Sequence, residues 1–120
     1  MKGHKDLDVW KKSMDLVVEI YNITKKFPTN EIYGLSSQIK RAAISVPSNI
    51  AEGAGRKGEK EFIQFLYIGL GSLAEIETQL ILAKRLNFVS EIEVTLENID
   101  KIKQMLNGLI RYLRKGKRNS

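Results

Sequence analysis

Apolar residues recur every three to four positions along this chain, in four blocks separated by short polar or glycine-rich breaks. That spacing is the period of an α-helix lying with one face on a core. The first block is predicted to be helical from about Asp6 to Lys26. Trp10, Met14, Val17 and Tyr21 make its stripe, widened by Leu7, Val18 and Ile20. Asp6 and Asp8 suit the positive end of the helix dipole, and Lys25 and Lys26 its negative end. Pro28 pushes Phe27 out of the helical region, so the block stops there.

The second block starts between Asn30 and Ser36, with Leu35, Ile39, Ala42, Ala43, Val46 and Ile50 as its stripe. The stripe keeps phase across Pro47, which places the proline inside one helix and predicts a kink between Ala43 and Pro47. The competing reading ends one helix near Ser45 and starts another with Pro47 at its first position. Gly53 and Gly55 are expected to close the helix in left-handed conformations.

The third block is the longest, from about Glu59 to Leu86, or about 42 Å of helix. One stripe is Phe62, Phe65, Leu66, Gly69, Leu73, Ile76, Leu80 and Ala83; a second is Ile63, Tyr67, Leu70, Ala74 and Ile81. Two stripes imply burial on two sides, once by the bundle and once by another subunit, with Ile63, Tyr67, Leu70 and Ala74 as the oligomer interface. A single wide core-facing stripe is the plainer alternative. Gly69 and Gly71 each cost about 1 kcal/mol relative to alanine in a helix, a cost that close approach of another helix would offset. After Asn87-Phe88-Val89, Ser90 and Glu93 are spaced as a capping box for a fourth helix. Its stripe is Ile92, Leu96, Ile99, Leu106, Leu109 or Ile110, and Leu113. Four amphipathic helices on short turns predict an all-α, antiparallel up-down-up-down four-helix bundle. The basic end, about 115–120, is expected to be a disordered tail.

Composition narrows the chemistry more than it defines it. A chain of 120 residues is expected to be one domain. It has no cysteine, which removes disulfides and thiolate metal sites and fits a cytoplasmic setting. The start of the chain lacks the apolar segment of a signal peptide, and no unbroken apolar run of spanning length is evident, so no membrane role is expected. The net charge of +6 favours polyanionic partners, though it is modest for a dedicated nucleic-acid binder.

LSSQIKRAAISVPSNIAEGAGR (Leu35–Arg56), F-x-x-F-L at Phe62–Leu66 and GSLAEIETQL at Gly71–Leu80 resemble a bacterial four-helix-bundle family. Its founding members are encoded in intervening sequences of 23S ribosomal RNA genes. LDVWKKSMDLVVEIY (Leu7–Tyr21) resembles that family's opening, so the likeness covers nearly the whole chain. The resemblance implies a left-handed antiparallel bundle and a homopentameric ring. It is similar in architecture to the accessory variability determinant protein of diversity-generating retroelements, a basic pentamer that associates with a reverse transcriptase and nucleic acid. It fixes fold better than function.

Several constellations each have a functional and a plainer role open to them. On a continuous helix Asn49, Glu52 and Arg56 share a face, with Glu52 well placed to pair with Arg56. With Pro47, Gly53 and, from the third helix, Ser72 and Glu75, they form either a ligand or assembly cluster or a buried polar latch at the corner. Glu52, Glu75 and Glu77 fall short of the Glu-x-x-His pattern of di-iron bundles, and His4 is the single histidine, so no metal or cofactor is expected. Ser36, Ser37, Ser45, Ser48 and Ser72 have no histidine to activate them and read as helix-packing or capping residues. Gly53–Gly58 lacks the strand and the Gly-Lys-Ser/Thr ending of a phosphate loop, though Arg56, Lys57 and the helix start beside them could hold one anion.

Basic residues form two groups: Lys40, Arg41, Arg56, Lys57 and Lys60 around the corner, and Arg111, Arg114, Lys115, Lys117 and Arg118 at the end of the fourth helix. Repeated around a ring they would make a basic annulus that holds RNA or DNA backbone without reading bases. Ordinary solvation is the plain alternative. The reading is a non-enzymatic homo-oligomer associated with nucleic acid. The alternative is an adaptor whose partner is a protein, for instance one that processes nucleic acid.

Overall fold

Leu35, Ile39, Ala42, Ala43, Val46 and Ile50 are all buried along one unbroken helix, with Pro47 inside it. This helix is the centre of an all-helical computed structural model that describes residues 3–116. Its elements are α1 (Asp8–Thr24), α2 (Leu35–Ala54), α3 (Glu59–Arg85) and α4 (Glu93–Arg114), with single 3₁₀ turns at His4–Asp6 and Thr29–Glu31. The reading that split α2 at Pro47 is thereby excluded. Each helix packs on the next in sequence, α4 returns to pack on α1, and the α2–α3 contact is the most extensive. The result is a four-helix bundle about 50 Å long. Between α2 and α3 the contacts climb one helix as they descend the other: Gly53 lies on Phe62 and Phe65, and Ser45 on Ser72. The same holds between α3 and α4, where Lys84 meets Glu93, Glu77 meets Lys103 and Tyr67 meets Arg114.

The core-facing stripe of α1 differs from the expected one. Val9, Ser13, Leu16, Ile20 and Thr24 are buried, whereas Met14, Val18 and Tyr21 are exposed and Trp10 and Val17 are half-buried. The sequence carries two stripes here, and two buried hydroxyls disguise the inner one. Ser13 donates to the Val9 carbonyl at 2.7 Å and Thr24 to the Tyr21 carbonyl at 2.9 Å. Satisfied within their own helix, these hydroxyls sit in the core without an orphaned donor.

The helix ends bring further corrections. Neither Gly53 nor Gly55 is left-handed; α2 closes through the Gly55 N–H on the Ala51 and Glu52 carbonyls. Gly53 is needed for a different reason: a Cβ there would lie 2.8 Å from Phe62 Cδ1 and from Phe65 Cβ. Among the described residues other than glycine, the left-handed one is Asn87, at φ 63°, after α3. There the Phe88 N–H reaches the Ala83 carbonyl and the Asn87 N–H the Lys84 carbonyl, the Schellman pattern. The Ser90–Glu93 box does not form, because α4 begins at Glu93 itself. The Glu93 carboxylate instead accepts the Ile92 N–H at 3.0 Å and pairs with Lys84 at 2.9 Å. The Lys84 hydrogen bond, then the backbone N–H groups, hold that carboxyl below its ordinary value.

Counter to the sequence expectation, α3 is long and apolar enough, by length and composition alone, to cross a membrane. In the bundle it places Phe62, Leu66, Leu73, Ile76, Leu80 and Ala83 in the core.

Candidate nucleic-acid interface

The alternating contacts carry the end of α4 to the start of α3. Arg114 Nη2 donates to Tyr67 Oη at 2.7 Å, with its guanidinium over that ring. Arg111, Arg114 and Lys115 therefore lie at the same end of the bundle as Arg56, Lys57 and Lys60, although some fifty residues separate the two groups. Arg114 and Arg56 are braced by aromatic rings, Arg56 lying 5.0 Å from the Phe65 centroid. Arg56 also stands 3.9 Å from both Glu52 and Glu61, two exposed and screened pairs that leave most of its field facing solvent. Lys57, Lys60, Arg111 and Lys115 are exposed.

Lys40 and Arg41 do not belong to this end. They sit in the first two turns of α2, about 20 Å along the helix from the corner, with Lys40 Nζ 5.0 Å over the Tyr21 ring. Lys117 and Arg118 lie outside the described residues. The start of α3 is poorly suited to an anion, since Glu59 and Glu61 already occupy its first turn.

The polar latch exists in a different form from the expected one. Asn49 Nδ2 donates to the Ser45 carbonyl at 2.8 Å and contacts Ser45 Oγ at 2.9 Å. Ser45 Oγ lies 2.8 Å from Ser72 Oγ, which ties α2 to α3 about two turns before the corner. Ser45 and Ser72 thus pack helix on helix, as expected of them; the part Ser45 plays with Asn49 follows from its place four residues earlier on the same helix face. Glu52 is exposed and stands by Arg56 on its own side of the corner, and Glu75 is exposed and accepts from Gln79 on its own helix. A second clamp, also unforeseen, joins α1 to α4: Glu19 accepts from Thr95 Oγ1 at 2.6 Å and from Asn98 Nδ2 at 3.1 Å.

The expected interface residues of α3 divide. Ile63 and Leu70 pack on the bundle's own core, whereas Tyr67 and Ala74 are exposed. All four share a helix face with Glu77 and Lys84, which bond to α4, so this stripe is turned toward α4. The wide-stripe reading accounts for Ile63 and Leu70. Among the described residues no cluster of three or more His, Cys, Asp or Glu is placed to hold a metal ion.

Compared with known proteins, residues 5–108 match the family model described as 23S rRNA-intervening sequence protein. No curated protein matches the chain.

Proposed function

This chain belongs to the 23S rRNA-intervening sequence protein family, and from that premise we propose that it is a non-enzymatic, self-associating helical bundle that holds nucleic-acid phosphates on its basic end. The observation that carries this is the meeting of Arg56, Lys57 and Lys60 with Arg111, Arg114 and Lys115 at one end of the bundle. Such a surface contacts phosphate and is indifferent to base identity. A ring of five copies, as the resemblance implies, repeats those six cations around one axis and multiplies a weak single contact. A cytoplasmic location, where RNA is at hand, fits the cysteine-free composition.

The test is binding of a labelled structured RNA across a salt series. Affinity falls steeply as salt rises, with a log–log slope of about −0.7 to −0.9 per phosphate contact. Lys57→Gln with Lys115→Gln flattens the slope by about 1 per lost contact in each chain. Lys26→Gln with Arg85→Gln, at the opposite end, leaves it unchanged. Absence of binding at low salt, or equal effects from both pairs, defeats the proposal and favours an adaptor for a protein partner.

A further inference from the structure

Of the four contacts between helices adjacent around the bundle, that between α1 and α4 is the least extensive. The Glu19 clamp holds this seam at one place, and beside the clamp the seam opens into a cavity of about 190 Å³. Leu16, Ile102 and Met105 give it an apolar lining, with Leu16 and Ile102 themselves buried. The rest of the lining is polar: Lys12, Asp15 and Glu19 from α1, and Asn98 and Lys101 from α4.

Four charges, two of each sign, therefore meet on one small cavity. Among the described residues none of the four forms an ion pair, either with another of them or with anything else. Asp8 and Glu97 lie one turn from Lys12 and Lys101 on their own helices, outside the lining. Asp15 and Glu19 are like charges four residues apart on one helix, an arrangement that weakens the helix carrying it. Acceptor capacity is also left over. Each Glu19 oxygen takes one donor, from Thr95 or Asn98, and a carboxylate oxygen has room for two. Asn98 gives its side-chain N–H to Glu19 and keeps its side-chain carbonyl.

A ligand of a single charge would be repelled by half of this lining, whereas one that carries both signs can pair with all of it. We propose that the α1–α4 cavity binds an α-amino acid with an apolar side chain. Its ammonium is held by Asp15, Glu19 and the Asn98 carbonyl, its carboxylate by Lys12 and Lys101, and its side chain lies on Leu16, Ile102 and Met105. The volume is sufficient, since a cavity of about 150 Å³ holds a benzene ring. Such a ligand neutralises the Asp15–Glu19 pair and fills the loosest seam of the bundle, so binding stabilises the fold. The site uses none of the six cations assigned above to phosphate.

The test titrates the full chain with L-leucine, read by the methyl NMR signals of Leu16, Ile102 and Met105 and by Tm. Saturable shifts and a rising Tm are expected. Isoamylamine, which lacks the carboxylate, and isocaproate, which lacks the ammonium, each bind at least about tenfold more weakly, the loss of a hydrogen bond to a charged group. Asp15→Asn and Lys101→Gln, both at exposed positions, retain their helicity by circular dichroism and weaken L-leucine by a similar factor. Arg85→Gln, on α3, leaves its affinity unchanged. Signals unmoved by L-leucine up to its solubility, an analogue that binds as well as L-leucine, or full affinity in either variant overturns the proposal. The RNA salt series reports on phosphate binding independently.

Discussion

Replacing Gly53 by alanine adds one methyl group where α2 packs tightly against Phe62 and Phe65 of α3. Two effects of opposite sign compete. In a helix interior alanine is favoured over glycine by about 1 kcal/mol, and Gly53 has an ordinary helical φ, so the backbone itself would welcome the change. Against this, the new Cβ would sit 2.8 Å from Phe62 Cδ1, 2.8 Å from Phe65 Cβ and 3.3 Å from the Phe62 carbonyl oxygen. Phe62 is fully buried and cannot swing aside, and Phe65 Cβ and the carbonyl are fixed to the α3 backbone. Relief requires α2 and α3 to move apart along the most extensive contact of the bundle. Overpacking of this kind costs about 1–3 kcal/mol. Contacts under 3 Å to atoms that cannot move put the steric cost at the upper part of that range, for a net loss of up to about 2 kcal/mol, or up to roughly 8 °C in Tm for a domain of this size. Gly69→Ala is the matched control. It too is a buried helical glycine, but its Cβ would lie at an ordinary 3.7 Å from Leu106 Cδ1, so the change is expected to be neutral or stabilising. Urea and thermal unfolding at one protein concentration read both variants, and concentration is held fixed because self-association would shift Tm. Gly53→Ala melting at or above wild type refutes the close-approach argument.

Two further outcomes follow from the clamps. Glu19→Ala leaves the buried Thr95 hydroxyl and the Asn98 amide without their acceptor and is expected to cost about 1–3 kcal/mol, with Glu19→Gln recovering part of it; equal stability of all three proteins in urea would count against the clamp. For Glu93, a carboxyl lowered in the fold contributes stability that is full above its unfolded-state pKa and lost as pH falls through the lower folded value. Lys84→Ala is expected to raise the Glu93 pKa toward the ordinary carboxylate range in an NMR titration, leaving the part due to the Glu93 and Ile92 N–H groups.

What could be read from the chain, and what could not, depends on whether the deciding interaction is local. All six expected residues of α2 are buried because its stripe is aliphatic and unambiguous. In α1 the choice between two stripes turned on hydroxyls that satisfy themselves within the helix, so a polar label misread Ser13 and Thr24. Gly53 was marked out correctly as special but for the wrong reason, since a close approach by α3 is a long-range fact and a left-handed turn a local one. The basic groups make the same point most sharply. Arg41 and Arg56 are near in sequence, yet a rigid helix holds them about 20 Å apart. Arg56 and Arg114 are remote in sequence, yet the return of α4 along α3 brings them to one end. A phosphate surface built this way depends on the bundle being folded. Unfolding should therefore abolish the steep salt dependence together with the helicity, whereas a basic tail acting alone would keep its affinity after the bundle has melted.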